Sequence, residues 1–129
     1  MSEINPNVLS PLVLAYIGDG VYELFVRNKL IEQFPTTPPS KLHKLSSAHV
    51  KAHAQSNSMK IIENNLTEKE LAVYKRGRNA KSSTVPKNAD VTDYRRATGF
   101  EALIGYLYLN KENERLNELM EIAFLNCLD

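Results

Sequence analysis

A chain of 129 residues, 43% of them apolar, is long enough for one domain (1–129) with a buried core and too short for a second. Its net charge of +1 argues against a general nucleic-acid binder working by overall charge, and its single cysteine, Cys127, rules out an intrachain disulfide. The opening MSEINPNVL has no secretion-signal pattern, and about 18 apolar residues never follow one another uncharged, so a cytoplasmic location is expected, with Cys127 as a small buried residue.

Ser10 and Pro11 form a helix start, a capping side chain followed by a proline at the first helical position. The predicted helix runs to Gln33 and is ended by Phe34 and PTTPPS, whose proline rings lack the amides a helix needs. Within it, LAYIGDGVYELFVRNKL sets Asp19 between Gly18 and Gly20 in an otherwise apolar run. Burying an unpaired charge is costly, so an aspartate there predicts a partner, a hydrogen bond or a metal. Each glycine costs roughly 1 kcal/mol of helix propensity relative to alanine, which predicts close approach of another backbone or of an anionic ligand. Glu23 is one turn further on, placed either to support Asp19 in a site or to pair with Arg27, and the pairing is the expected role.

Pro39 or Ser40 opens the next helical stretch, in which Leu42, Leu45, His49 and Ala52 or His53 recur at helical spacing. The pattern continues less regularly through Met59, Ile61 and Ile62 and predicts one bent helix or two. Thr67 and Glu70 form a capping box, which predicts a helix to about Asn79. SSTVPKNAD reads as a loop, after which Asp90 or Thr92 caps a long helix through Leu109 that carries Glu101 in GFEALIGYLYL. The last segment spaces Leu116, Leu119, Met120, Ala123 and Phe124 at helical intervals. No strand pattern of useful length occurs, and the predicted fold class is an all-α bundle without repeats. Tyr16, Tyr22, Phe25, Phe100, Tyr106 and Tyr108 fall on helical stripes and are expected in core or subunit-interface packing.

Charge is unevenly spread. Lys75, Arg76, Arg78, Lys81, Lys87, Arg95 and Arg96 face only Asp90 and Asp93 in the same stretch.

The two acid-bearing blocks resemble the two catalytic helices of the ribonuclease III family. Ile17, Gly18, Asp19, Gly20, Val21 and Glu23 match its signature segment, and 99–109 with Glu101 matches the second helix, in the family's order. The short length and the RGRNA stretch are similar to the mini ribonuclease III branch, which has no double-stranded-RNA-binding domain. The resemblance implies a ribonuclease III endonuclease-domain bundle, paired as a two-fold homodimer through its signature helices. It implies Asp19 and Glu101 as catalytic and metal-holding residues, with Mg2+ as cofactor and Mn2+ as a substitute. The implied activity is hydrolysis of double-stranded RNA to 5′-phosphate products. The implied substrate is the precursor of 23S ribosomal RNA, and a ribosomal protein that assists the substrate is left open.

The family pattern has acids where this chain has Leu12, Ala15 and Thr98. Magnesium takes hard oxygen ligands and keeps several waters, so water and substrate oxygens are expected to complete its shell. The alternative left by these losses is an inert ribonuclease III fold serving as an RNA-binding or ribosome-assembly module.

Duplex RNA is recognised by shape, phosphates and 2′-hydroxyls. Lys75, Arg76, Arg78, Asn79, Lys81, Ser82, Ser83 and Lys87 supply cations and small polar groups for that task. His49 and His53 have the spacing of a zinc pair without a third ligand; with His43 they are expected on a solvated or RNA-facing surface.

Overall fold

Local caps decide where the helices begin. In the computed structural model, which describes residues 4–81, 85 and 90–128, Ser10 accepts a hydrogen bond from the Val13 amide and opens α1 (Pro11–Gln33). Thr67 and Glu70 bond each other's backbone amides and open α4 (Glu68–Asn79). The Asp90 side chain accepts from the Asp93 amide and opens α5 (Val91–Leu109). Between α1 and α4 stand α2 (Pro39–Val50) and α3 (Ala52–Ile62), separated at Lys51, whose extended backbone interrupts the ladder. The sequence left open one bent helix or two, and there are two. A last helix, α6 (Asn113–Asn126), follows a short turn, and among the described residues there is no strand. Of the predicted loop after Asn79, 82–84 and 86–89 lie outside the described residues.

Helix α5 is the centre of the bundle and packs against α1, α3, α4 and α6. Its Phe100, Leu103, Ile104 and Leu107 are fully buried against Leu14, Tyr22, Val26, Met59, Ile62 and Leu119. Each such side chain removed from water contributes about 2 kcal/mol. Tyr22 meets Phe100 edge-on at 4.9 Å.

Two pairs of glycines bring neighbouring backbones onto α5. A Cβ on Gly18 would stand 1.8 Å from the Glu101 carbonyl oxygen, and one on Gly105 would stand 2.0 Å from the Leu14 carbonyl oxygen. Helices α1 and α5 therefore touch backbone to backbone, a contact open only to glycine. On the α4 side, a Cβ on Gly77 would lie 2.7 Å from the Ala102 Cβ and 2.9 Å from the Gly99 Cα. Gly18 bears out the expected close approach, with a partner from the same chain. Gly20 does not: nothing lies within 4 Å of the Cβ it lacks.

The histidine expectation needs correction at one position. His49 is buried, stacks on Phe124 at 4.3 Å and is hydrogen-bonded through Nδ1 to the Cys127 Sγ at 3.1 Å. Burial pushes the His49 pKa down and the Cys127 thiol up, so both stay neutral. The break at Lys51 separates His49 from His53, which is exposed and pairs with Asp93 at 2.8 Å. His43 is exposed as expected.

Candidate active site

The crossing of α1 on α5 decides which acids meet. Because Gly18 rests on the Glu101 carbonyl, the next residue along α1, Asp19, is carried to the Glu101 carboxyl. Glu101 is half-buried, and its pKa is pushed from 4.5 up to about 9. Burial is the largest cause; a hydrogen bond and charge repulsion from Asp19 add to it, and the Gln55 amide pulls the other way. Among the described residues no cationic side chain takes part in that balance. Asp19 itself is exposed, so the desolvation inferred from its apolar neighbours falls on Glu101 instead.

Two carboxyl groups crowded together, one withdrawn from water, are a donor set suited to a divalent cation. Among the described residues no group of three or more His, Cys, Asp or Glu side chains converges on a metal position. That composition fits an ion which draws most of its ligands from water and substrate, as magnesium does, and does not fit zinc. Leu12 is exposed and Ala15 is buried, and Thr98 donates its hydroxyl back to the Tyr94 carbonyl at 3.0 Å. None of the three replaces a carboxylate. Glu23, half-buried, pairs with the exposed Arg27 at 3.6 Å, in agreement with its expected role.

The cationic stretch forms the end of α4. Lys75, Arg76, Asn79 and Lys81 are exposed, while Arg78 is half-buried with its guanidinium 5.7 Å from the Tyr74 ring centre and its Nε donating to Asn79. Arg78 and Lys81 face the first turns of α5 across a groove of about 340 Å³ that Tyr94, Arg95 and Thr98 also line. The Gly77–Gly99 contact closes its floor. Ser82, Ser83 and Lys87, predicted to bind RNA, lie outside the described residues.

Sequence reasoning counted Arg95 in the local charge but did not assign it to the site. The available signal was its position just after the Asp90 cap, on the turn that meets the end of α4. Gln55 was passed over altogether, because in the largely polar run AHAQSNSM nothing marks it as the residue turned inward.

The Ribonuclease III domain family matches residues 12–112, a span that holds both acids and the cationic stretch. The chain belongs to the ribonuclease III family. Its members are endoribonucleases, phosphodiester hydrolases, and α6 lies beyond the matched span. Similar proteins include one named Mini-ribonuclease 3 from Clostridium tetani, 54% identical over 89% of this chain and 76% of that one. Another of the same name, from Brevibacillus brevis, is 50% identical over 93% of this chain and 89% of its own length. A crystal structure of a Fusobacterium nucleatum protein superposes with a TM-score of 0.81 at 36% identity, covering 94% of this chain and 95% of that one. The all-helical ribonuclease III fold expected from the sequence is the fold observed.

Proposed function

We propose that this ribonuclease III protein is a magnesium-dependent endonuclease for double-stranded RNA, with Asp19 and Glu101 as its metal-holding catalytic acids. The observation that carries the reading is the meeting of these two carboxyls where Gly18 rests on Glu101. Asp19 and Glu101 would hold magnesium, or manganese in its place, which would supply Lewis-acid chemistry for the phosphodiester and the attacking water. Asp19, exposed, is the acid that meets the incoming phosphodiester; Glu101 is the acid fixed to the bundle's core. Hydrolysis adds water across the bond between phosphorus and the 3′ oxygen, leaving a 5′ phosphate and a 3′ hydroxyl.

Arg78, Lys81 and Arg95 around their groove supply charge for the RNA backbone, and Asn79 supplies a small polar group for a ribose. Homodimer formation is supported by the outer face of α1, where Val13, Tyr16 and Leu24 are 48%, 83% and 62% exposed around the open space at Gly20. An apolar stripe of this kind on a helix that also carries Asp19 suits a two-fold contact with a second copy, one acidic site for each strand. The proposed substrate is the paired ends of the 23S ribosomal RNA precursor in the cytoplasm, which rests on the resemblance to the mini ribonuclease III branch.

The test is cleavage of a duplex RNA with magnesium by wild type, Asp19→Asn and Glu101→Gln. Wild type is expected to cut and each variant to lose more than about a hundredfold in rate. Equal cutting by the variants, or none by wild type on any structured precursor, removes the reading. Mapping 23S precursor ends in cells carrying Asp19→Asn tests the substrate separately.

A further inference from the structure

Gln55 lies on α3 with 2% of its surface exposed, among Ala54, Ser56, Ser58 and Met59, where α3 packs on α5. A primary amide withdrawn from water costs about 1–3 kcal/mol for a group left unpaired, so a packing role alone is better filled by an apolar side chain of similar volume. Its Nε2 nonetheless completes no hydrogen bond. The acid that the amide influences is Glu101, whose carboxyl it favours in the charged form, and no hydrogen bond joins the two. A buried amide with an unbonded N–H therefore stands close enough to an acid of the candidate site to act on its carboxyl.

The backbone of Glu101 is fixed by Gly18 pressing on its carbonyl, so only side-chain torsions set where its carboxyl points. The last of these, at the junction of an sp3 and an sp2 carbon, is broad and has no strong rotamer preference of its own. Something outside the side chain must choose the plane. We propose that Gln55 is a positioning residue, whose amide N–H fixes the rotation of the Glu101 carboxylate so that one oxygen faces a divalent cation shared with Asp19. Hydrogen bonds from amide to carboxylate strengthen and shorten when the acceptor is fully charged, so this one forms when Glu101 takes up its ion. Partners of this outer kind typically change metal affinity by 10- to 100-fold when removed. The inference rests on the reading of Asp19 and Glu101 as ion-holding acids.

The experiment titrates manganese(II) into RNA-free wild type, Gln55→Met, Gln55→Asn and Asp19→Asn, following the free-ion EPR signal, with thermal unfolding of each protein alongside. Magnesium-dependent cleavage of a duplex RNA supplies the kinetic arm. Gln55→Met keeps the volume and removes the donor. It is expected to unfold within a few degrees of wild type, bind manganese about tenfold or more weakly, and need correspondingly more magnesium for half-maximal cleavage. Its KM for RNA should stay the same, because Gln55 is buried away from any RNA. Wild-type manganese affinity in a folded Gln55→Met overturns the proposal. If Gln55→Met does not fold, Gln55→Asn, whose shorter amide falls further from Glu101, decides in the same way: weakened binding supports the role and unchanged binding overturns it. Unchanged binding by Asp19→Asn as well places the failure in the reading of the two acids. Loss by Asp19→Asn alone leaves that reading standing and removes only Gln55.

Discussion

At pH 7 the Glu101 carboxyl is protonated in the folded, metal-free chain and ionised in the unfolded one, because burial, and then Asp19, push its pKa from 4.5 up to about 9. The folded state binds the extra proton, so this group's contribution to stability falls as pH rises from about 4.5 and levels off above about 9. Glu101→Gln removes that burden. The variant should therefore unfold several degrees above wild type at pH 8 without metal, with a smaller gain at pH 5, while cleavage is lost; thermal scans at the two pH values check it. Magnesium binding at pH 7 should release close to one proton per site, readable by calorimetry in buffers of different ionisation enthalpy. Glu70 has the opposite sign. Although burial pushes it up, hydrogen bonds from Arg115 and the Thr67 backbone bring its pKa below the usual value, so its contribution is present above about pH 4.5 and fades under acid. The pairing of Asp19 with Glu101 was legible as a resemblance of motifs. That Glu101 and not Asp19 is the desolvated member was not, because residue pattern along α1 does not say which side of the helix α5 covers.

Among the elements, the glycines of α1 and α5 separate by surroundings and not by type. Gly18→Ala and Gly105→Ala each drive a methyl group to within about 2 Å of a partner backbone oxygen, so the helices must part. Each should cost about 3 kcal/mol, measured by urea unfolding. Gly20→Ala meets nothing and should raise the stability of the free chain by about 0.5–1 kcal/mol through helix propensity. Helix starts at Ser10, Thr67 and Asp90 could be read from sequence because a cap is a bond made within three residues. The break at Lys51 carried no proline or glycine, and so the division of α2 from α3 could not. His49 was misplaced for a related reason: its ring answers to Phe124 and Cys127, far along the chain, and a helical period does not identify that partner.

For the whole molecule, a net charge of +1 understates the local cationic character, since the end of α4 and the start of α5 set Arg78, Lys81 and Arg95 around one groove. Arg78→Ala and Arg95→Ala should each weaken duplex RNA binding similarly across sequences and lower the slope of log affinity against log salt by about one. Filter binding at several salt concentrations measures this. Leu24→Arg places a charge on the exposed stripe of α1, away from the core, and should break the proposed dimer, giving a monomer by sedimentation that no longer cuts both strands in one encounter. A dimer that persists assigns the subunit contact to another face.

Glu101 is bracketed on its own helix by Gly99 and Gly105, each held so closely by a neighbouring helix that no methyl group fits. Evolution at this helix is thereby confined. The carboxylate can be exchanged for an amide of the same shape with the bundle intact, whereas drift at either flanking glycine dismantles the scaffold before it alters the chemistry. A mutational library aimed at new activity therefore does best to hold 99 and 105 constant and to explore α3, which meets the acid through a side chain, Gln55.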